Sequence, residues 1–335
     1  MPAISFIIPA YNAEETLERA LNSICSQKEF TDYEILVIDD GSQDNTVAVA
    51  KKFAQKEAKL KVLTAGNGVG VGQARNVGLK HATGQWIAFL DADDFYIADT
   101  LKQALNIAHK NDADLQIFSF EHGQKPIDLS FKTTLTSLSA RCKMLEKPTN
   151  YLTVWGKFFK REIIATRKLY FDEELTMAED SEFLIRYSAC CSKTCSSNLI
   201  MYHYSIDTPS VTRIFAKEKI SAYLKTLVAM NNFMVSQPKE LQVSFFKFTL
   251  IQLNIIAVRF IYVATNPASM KQKKQTLLEV CQDPIIKQAL NVLPLKACLT
   301  PHLLPGLFLK LKLPQFAILL FKIRSRQNQI RENTN

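Results

Sequence analysis

The fold of this chain is decided by the stretch Gly84-Gln85-Trp86-Ile87-Ala88-Phe89-Leu90-Asp91-Ala92-Asp93-Asp94. Its apolar run predicts a strand buried on both faces of a parallel sheet. Ligands of open α/β sheets bind beyond the carboxyl ends of such strands, so the three acids stand where a substrate would lie. Carboxylates suit Mg²⁺ or Mn²⁺, which bridge substrate phosphates. A helix cap is the alternative for Asp93 and Asp94, but a cap needs one aspartate and not three, which favours a metal site.

Composition indicates a globular protein. The chain has 335 residues, of which 47% are apolar and 22% charged, enough for one large domain or two ordinary ones. Seven cysteines, an odd number, argue against a disulfide framework and for a reducing compartment. Their spacing does not indicate zinc. The first residues lack a secretory signal pattern, so we expect a cytoplasmic protein.

Charge is divided unevenly along the chain. Residues 1–209 hold 23 Lys and Arg against 27 Asp and Glu, a net charge of −4. Residues 210–335 hold 18 against 5, a net charge of +13. The first part has the balance of an enzyme domain, and the second predicts contact with an anionic surface. Nucleic acid is a poor fit as a partner, because the acidic part would repel it.

Strands alternate with helices through the first 115 residues, which predicts βαβ units and a parallel sheet. The expected strands are Ile4–Pro9, Tyr33–Ile38, Leu60–Thr64, Trp86–Leu90 and Leu115–Phe120. Asn12, with Glu15 three positions later, predicts the cap of the first helix. The glycines from Gly66 to Gly72 match neither a dinucleotide fingerprint nor an ATPase phosphate loop. We expect them to form a flexible loop that brings Arg75 to the carboxyl edge of the sheet.

Four short motifs follow one another in this part of the chain. They are Ile7-Ile8-Pro9-Ala10-Tyr11-Asn12, Ile38-Asp39-Asp40-Gly41-Ser42, Ala74-Arg75-Asn76 with Gly78, and Phe89-Leu90-Asp91-Ala92-Asp93-Asp94. The set resembles the family 2 glycosyltransferases, firmly over residues 1–115 and loosely to about residue 213. The resemblance implies an inverting enzyme of the GT-A fold, with a Rossmann-like, mostly parallel sheet flanked by helices. It also implies a nucleotide-sugar donor, usually linked to UDP, and Mn²⁺ or Mg²⁺ as cofactor.

The resemblance further implies roles for single residues near the donor. Those expected beside the nucleotide, its base, its ribose or its diphosphate are Pro9, Tyr11, Glu14, Asp39, Asp40, Arg75 and Asp91, and the one expected at the metal is Asp93. The side-chain chemistry of Tyr11, Asp40 and Asp93 agrees with these roles. Tyr11 supplies a flat ring for a base, and Asp40 can accept a base N–H. A metal at Asp93 would act as a Lewis acid on the departing diphosphate.

Two later segments also resemble the family. Glu179-Asp180 matches its Glu-Asp pair, which implies that Asp180 is the catalytic base. Inversion by direct displacement needs one such base to take a proton from the acceptor hydroxyl. A helix N-cap is the alternative for Asp180, and the residues alone leave both open. His203-Tyr204 and Ser210-Val211-Thr212-Arg213 resemble the closing segment of the family, which places His203 beside the diphosphate or the metal.

From residue 214 the chain reads as helices, at Ile220–Val235, Leu241–Ala264 and Lys271–Cys281. Lys247 and Arg259 interrupt the best candidate for a membrane span, which needs about 18 uncharged apolar residues. Residues 284–331 hold eight Lys and Arg and no acid, interleaved with Leu, Phe and Ile. This pattern predicts peripheral attachment to an anionic membrane surface. A packed helical subdomain with a solvated basic face is the alternative.

We therefore expect a transferase domain at residues 1–213, with a nucleotide-sugar half at 1–115 and an acceptor half at 116–213, followed by a basic helical extension at 214–335. By resemblance, the enzyme moves a sugar to a hydroxyl of a glycan or lipid-linked glycan in bacterial capsule, exopolysaccharide or lipooligosaccharide synthesis. We expect it at the inner face of the cell membrane.

Two other functions stay open. One is a non-catalytic nucleotide-sugar-binding module, against which Asp93 and Asp180 speak. The other is a nucleotidyltransferase, whose Gly-rich loop would be expected near the first strand, where Pro9-Ala10-Tyr11-Asn12 stands instead.

Overall fold

The computed structural model of the chain describes residues 1–131, 135–206 and 216–333. The chain divides into two compact units, the first of residues 1–141 and 149–208 and the second of residues 142–148 and 209–335. The motif Ser210-Val211-Thr212-Arg213 and the expected domain boundary beside it lie outside the described residues.

The first unit is built on one mixed sheet. Its strands in the described chain are β1 Ile4–Ala10, β2 Tyr33–Asp39, β3 Leu60–Thr64, β4 Trp86–Phe89, β5 Phe95–Tyr96, β6 Leu115–His122, β7 Lys125–Ile127, β8 Lys157–Lys160 and β9 Thr194–Tyr204. The order across the sheet is β3-β2-β1-β4-β8-β6-β9-β5, and β7 pairs with β6. The strands from β3 to β4 are parallel, as predicted. Beyond β4 the sheet is mixed, because β8 runs antiparallel to both β4 and β6.

Helices connect these strands. They are α1 Leu17–Cys25, α2 Thr46–Ala54, α3 Val71–His81, α4 Leu101–Lys110, α5 Ser137–Glu146, α6 Pro148–Tyr151, α7 Arg161–Arg167 and α8 Glu179–Ala189. Every residue of β1 and β2 is buried, which is the reason that these strands are apolar without alternation. The helix α3 packs so closely on β1 that a Cβ atom at Gly78 would lie 2.4 Å from Cγ2 of Ile7.

The first helix does not begin at Asn12, so the predicted cap is wrong. The helix α1 begins at Leu17, after Thr16. Asn12 has a φ of 47°, its backbone N–H donates to Ser42 Oγ, and its Oδ1 accepts from the Gln43 N–H at 2.8 Å. The asparagine thus ties the turn after β1 to the turn after β2. Its side chain meets a neighbouring turn that local sequence does not reveal.

The second unit contains helices throughout its described part. They are α9 Glu218–Met234, α10 Lys239–Ile256, a π-helical turn Ala257–Ile261, α11 Met270–Gln282, α12 Pro284–Val292, a 3₁₀ turn Leu295–Cys298, α13 Leu304–Lys310 and α14 Pro314–Asn333. The three helices predicted between residues 220 and 281 are confirmed. Phe245, Phe248 and Leu253 of α10 are at most 1% exposed and belong to the core of this unit.

One helix in the described part of the chain is long and apolar enough to cross a membrane. It is Lys239–Ile261, with a mean hydropathy of 1.5. Within its most apolar window, 72% of the residues are buried inside the protein. A buried core helix satisfies the same criteria of length and composition, so this helix is weak evidence for a membrane span.

Candidate active site

Three aspartates follow the carboxyl end of β4, next to the end of β1. The Leu90 N–H donates to the Ile7 carbonyl, which extends the pairing of these strands, and the Asp94 N–H then donates to the Asp91 carbonyl at 3.0 Å. Asp91 and Asp93 are half-buried and Asp94 is buried. The next helix begins only at Leu101. Asp93 and Asp94 therefore do not cap it, and the simpler alternative is excluded.

Asp94 ties this turn to the end of β9. Its Oδ2 accepts from the hydroxyl of Tyr202 at 2.7 Å, and its Oδ1 accepts from the Ser205 N–H at 2.7 Å. Burial, together with the charges of Asp91 and Asp93, raises the pKa of Asp94 to about 8. Asp94 therefore fixes the position of the turn and leaves Asp91 and Asp93 at its surface.

Arg75 gathers three carboxylates from two distant parts of the chain. One guanidinium nitrogen, Nη1, donates to Asp180 Oδ1 at 2.6 Å and to Glu179 Oε1 at 3.3 Å. The other, Nη2, donates to Asp91 Oδ1 at 3.0 Å. We call this group of four side chains the arginine cluster. It joins Asp91, which follows β4, to the acid pair that begins α8.

The arginine cluster is held in a nearly dry setting. The Arg75 side chain is 4% exposed, against 29% for Asp91 and 20% for Asp180. The guanidinium carbon lies 5.4 Å from the ring centre of Phe171 and 6.0 Å from that of Phe89, within the range of cation–π contacts. Charges in such a place interact more strongly than on the surface, so Arg75 favours the ionised form of its partners and fixes their direction.

The acid pair stands at the start of α8. Ala178, the residue before this helix, has a φ of 57°, and its side chain cannot cap the helix. Asp180 sits in the first turn, where its Oδ2 accepts from the Val154 N–H at 3.3 Å and its Oδ1 from Arg75. The alternative that Asp180 is merely an N-cap is therefore not supported, because its oxygens bond to other elements of the unit.

The two acids of the pair have unequal environments. Burial and the neighbouring charge of Asp180 raise the pKa of Glu179 to about 7. Burial also raises the pKa of Asp180, while the positive charge of Arg75 opposes this rise. Asp180 makes the shorter contact with Arg75, 2.6 Å against 3.3 Å, so it is the acid that the cluster favours as a carboxylate. A carboxylate held in this way can accept a proton.

Lys157 is a functional candidate that the motifs did not identify. It lies in β8 and is 1% exposed, and its Nζ donates to Thr153 Oγ1 at 3.1 Å and to the Trp155 carbonyl at 3.3 Å. Burial lowers its pKa to about 7, and the charge of Asp180 opposes this change. A lysine inside an apolar run such as Lys157-Phe158-Phe159 is unusual for a core strand. This unusual position is the sequence feature that could have identified Lys157 as a candidate.

Asp40 holds the Gly-rich loop. Its Oδ1 accepts from the Val69 N–H at 2.8 Å, and its Oδ2 from the Gly70 N–H at 2.9 Å. Its backbone carbonyl also accepts from the Gly68 N–H. The loop is thus anchored by one buried aspartate, and α3, with Arg75 on it, begins directly after Gly70. A carboxylate has about four acceptor positions, so these two bonds leave room for a further donor.

The other residues expected near the nucleotide lie around the same edge. Tyr11 is 54% exposed, while Pro9 is buried in β1. Asp39 accepts from the N–H groups of the turn that follows it, Gly41 at 3.1 Å and Ser42 at 3.2 Å. Glu14 Oε2 accepts from an N–H at the start of α2 at 2.8 Å. Only Tyr11 in this set presents a largely exposed surface to a ligand.

The residues predicted to lie at the metal are Asp93 and His203. His203 is paired with Phe95 across β9 and β5, its ring stacks on that phenylalanine at 4.2 Å, and its Nδ1 lies 3.3 Å from Glu121 Oε2. The carbonyl of Asp93 accepts from Arg19 at 2.6 Å. The described residues contain no group of three His, Cys, Asp or Glu placed to hold a metal. With so few protein ligands available, Asp93 fits an ion that is bound through one or two carboxylates and through the phosphates of a substrate. Mg²⁺ is usually bound in this way.

Comparison with known proteins gives a consistent result. A model of the family described as Glycosyl transferase family 2 matches residues 5–173, half of the chain. The uncharacterized glycosyltransferase EpsJ of Bacillus subtilis (strain 168) is 28% identical over 233 residues, 67% of each chain. The poly(ribitol-phosphate) beta-N-acetylglucosaminyltransferase TarS of Staphylococcus aureus (strain Mu50 / ATCC 700699) is 32% identical over 194 residues, 56% of this chain and 32% of TarS. This chain thus spans about a third of TarS.

Solved structures share the fold. The crystal structure of S. aureus TarS 1–349 in complex with UDP-GlcNAc superposes with a TM-score of 0.69 at 22% identity and covers 98% of this chain and 92% of that one. The mannosyltransferase PcManGT from Pyrobaculum calidifontis, in complex with GDP-Man and Mn²⁺, gives 0.53 at 16% identity and covers 98% and 87%. At these identities the likeness concerns the fold, and it agrees with the predicted GT-A architecture.

Proposed function

Because the chain belongs to glycosyl transferase family 2, we propose that it transfers a sugar from a UDP-linked donor to a hydroxyl of a growing glycan, with inversion at the anomeric carbon. The observation that carries the proposal is the arginine cluster. In this cluster one guanidinium, that of Arg75, bonds to both Asp180 and Asp91 at the edge of the sheet where a donor would bind. The TarS structure in complex with UDP-GlcNAc supports a UDP-sugar as the donor class.

In the proposed mechanism Asp180 is the general base. The acceptor hydroxyl oxygen attacks the anomeric carbon of the donor, and its proton passes to Asp180 as the bond to the diphosphate breaks. Attack from the face opposite the leaving group inverts the configuration, so a second nucleophilic carboxylate is not needed. Arg75 is a positioning residue, because its bond to Oδ1 and the Val154 N–H on Oδ2 leave the carboxylate little freedom to rotate.

We further propose that the donor contacts the edge around Tyr11, Asp40 and Asp91. Tyr11, the exposed ring of this set, would stack on the base, and the remaining acceptor positions of Asp40 would take a base N–H. Glu14 and Asp39 would shape this edge through the turns that they hold, and Pro9 would do so as a buried residue of β1. These roles follow from the family motifs and from the positions of the residues at or near the ends of β1, β2 and β4.

A divalent cation, Mn²⁺ or Mg²⁺, belongs to the proposal. Asp93 would be its protein ligand, with His203 close by, and the donor diphosphate would complete the shell. The Mn²⁺ complex of PcManGT supports this class of cofactor. When bound, the ion would stabilise negative charge on the leaving diphosphate.

We propose residues 1–213 as the transferase domain and 214–335 as an extension that attaches the enzyme to the inner face of the cell membrane. The charge of +13 on residues 210–335 supports this location, because the cytoplasmic leaflet is anionic. A lipid-linked glycan of a bacterial surface polysaccharide would then be the acceptor class.

The test is the substitution Asp180→Asn, assayed with UDP-GlcNAc, UDP-glucose and UDP-galactose as donors and Mn²⁺ present. The amide keeps the size of the side chain but cannot take the proton, so we expect turnover to fall about 10²–10⁴-fold. UDP affinity, measured by calorimetry, should change by no more than a few fold. Loss of UDP binding with little loss of turnover would place Asp180 in the nucleotide site and overturn its role as base.

Glu182→Gln is the matched control. Glu182 lies on the same helix, two residues away, and accepts from Arg186 through both of its oxygens and not from Arg75. The same acid-to-amide change there should leave turnover within a few fold. Equal losses in the two variants would mean that the damage comes from α8 and not from the missing base.

A further inference from the structure

Exposed large apolar side chains are concentrated towards the end of the second unit. Eight of the sixteen in the described chain fall between residues 292 and 330. Phe316, Leu319 and Ile323 are 46%, 54% and 45% exposed, and their spacing places them along one side of α14. Another side of the same helix holds Phe321, which is fully buried and stacks with a tyrosine of the same unit. The helix therefore has one apolar side that is packed and one that is exposed. We call the exposed side, formed by Phe316, Leu319 and Ile323, the α14 face.

The segment that contains the α14 face is basic. Residues 284–331 contain eight Lys and Arg and no Asp or Glu. Two of these are used inside the unit: Lys310 donates to three carbonyls at the end of α12, and Arg324 donates to the Pro301 carbonyl. The side chains that remain exposed are Lys287, Lys296, Lys312, Lys322 and Arg326. The structure thus separates positive charges with a structural use from those that are available to a partner.

We propose that the α14 face is a docking surface for an anionic lipid leaflet, with α14 lying in the plane of the membrane. This deepens the proposed attachment to the membrane, on which it rests, by naming the face that makes contact. Phe316, Leu319 and Ile323 would enter the boundary between headgroups and acyl chains, as in other interfacial helices. Lys322 and Arg326 flank them on the helix and would meet lipid phosphates.

The charge of the surface argues against a second copy of the chain as its occupant. A two-fold dimer contact pairs a patch with the same patch of the partner. Such a contact here would bring exposed lysines and arginines together with no acid from residues 284–331 to offset them. An anionic leaflet supplies the missing negative charge and an apolar layer for the side chains between the basic residues.

The test measures binding of the full chain to vesicles by sedimentation, at low and high salt, without any sugar donor. Vesicles of phosphatidylcholine alone are compared with vesicles that also contain phosphatidylglycerol. We expect binding to the anionic vesicles only, and partial release at high salt, because the charges would be screened. The double change Leu319→Gln with Ile323→Gln should weaken binding at least about tenfold, since it removes two exposed aliphatic side chains that the membrane would bury.

A matched control tests the position of the apolar groups. Val228 and Val235, at 46% and 71% exposure, belong to the same unit but not to the α14 face. Val228→Gln with Val235→Gln should leave vesicle binding unchanged. A loss of the same size in both double variants would overturn the proposal, because the effect would then follow general hydrophobicity.

A second pair of variants tests charge. Lys322→Gln with Arg326→Gln should reduce binding to anionic vesicles several-fold, with a weaker salt dependence. Lys271→Gln with Lys274→Gln, an equal change of charge on α11, should have little effect.

Three other results would overturn the proposal: equal binding to neutral vesicles, wild-type binding by the variants of the α14 face, or a change from dimer to monomer in those variants without a change in vesicle binding. The last result would assign the face to a second copy. Because the assay uses no sugar donor, its failure leaves the proposed transfer reaction untouched.

Discussion

Replacing Arg75 by methionine gives the sharpest test of the arginine cluster. Arg75→Met keeps a long apolar stem but leaves Asp91, Glu179 and Asp180 without the cation that they share. Removing one partner from a buried ion pair costs about 3–5 kcal/mol. We expect the free energy of unfolding to fall by about 3 kcal/mol at pH 8, the lower end, because the three acids are partly exposed.

The loss of unfolding free energy in Arg75→Met should become smaller as the pH falls. Without Arg75 the pKa of Asp180 rises further, so the folded variant binds a proton more tightly than its unfolded chain does. This difference stabilises the folded variant below the raised pKa, and the stabilisation disappears as the pH rises through it. One extra proton changes stability by at most about 1.4 kcal/mol per pH unit, so we expect the gap to the wild type to narrow by about 1–2 kcal/mol between pH 8 and pH 5.

Urea unfolding followed by circular dichroism at pH 5, 6, 7 and 8 measures this gap. Arg161→Met is the control, because Arg161 Nε donates to the Gly84 carbonyl at 2.7 Å, a group that does not titrate. Its loss of about 1–2 kcal/mol should be the same at every pH. A gap for Arg75→Met that stays constant from pH 5 to pH 8, or stays below about 1 kcal/mol, would refute the account of the cluster.

Three further predictions concern other parts of the first unit. Lys157→Met should move the acid limb of the kcat/KM profile to higher pH, because the charge of Lys157 lowers the pKa of the proposed base; an unchanged profile would separate the lysine from catalysis. Asp93→Ala should abolish transfer and the Mn²⁺-dependent part of UDP binding while the circular dichroism spectrum stays the same, and activity that survives both this change and EDTA would contradict the metal site. Gly78→Ala should lower the free energy of unfolding by at least about 2 kcal/mol, since its Cβ would lie 2.4 Å from a side chain of β1. Gly72→Ala on the same helix, where the nearest atom would be 3.4 Å away, should cost less than about 1 kcal/mol; similar losses at both glycines would contradict the close packing of α3.

The first half of the sheet could be predicted because its strands carry a strong local signal. Continuous apolar runs bounded by turns identified β1 to β4 within one or two residues. The antiparallel insertion of β8 between β4 and β6 could not be predicted. That strand has four residues, and its place depends on pairing with segments about 40 and 70 residues earlier.

The sequence predicted which residues belong to the candidate site better than it predicted how those residues contact one another. Motifs named Arg75, Asp91 and Asp180, but the ion pairs between them link positions more than 100 residues apart in the case of Asp180, which spacing cannot reveal. In the sequence, Asp94 could not be distinguished from Asp91 and Asp93. In the structure it is distinguished by its burial and by the hydrogen bond that it accepts from Tyr202. Lys157 was missed because most lysines are solvated, and sequence alone does not report burial.

The arginine cluster also bears on how new acceptor specificities could be engineered into such an enzyme. The proposed acceptor half, residues 116–213, cannot be exchanged as an independent unit, because its strand β8 pairs with β4 and Arg75 bonds to the acids of α8. A graft that replaced everything after residue 115 would leave the buried Arg75 with Asp91 alone from the arginine cluster, unless the graft brought its own Glu-Asp pair in register. Grafts confined to residues 128–152, between β7 and Thr153, avoid that penalty, since the strands, the acid pair and Val154 stay native. Exchange of loops should therefore yield folded hybrids where exchange of whole halves does not.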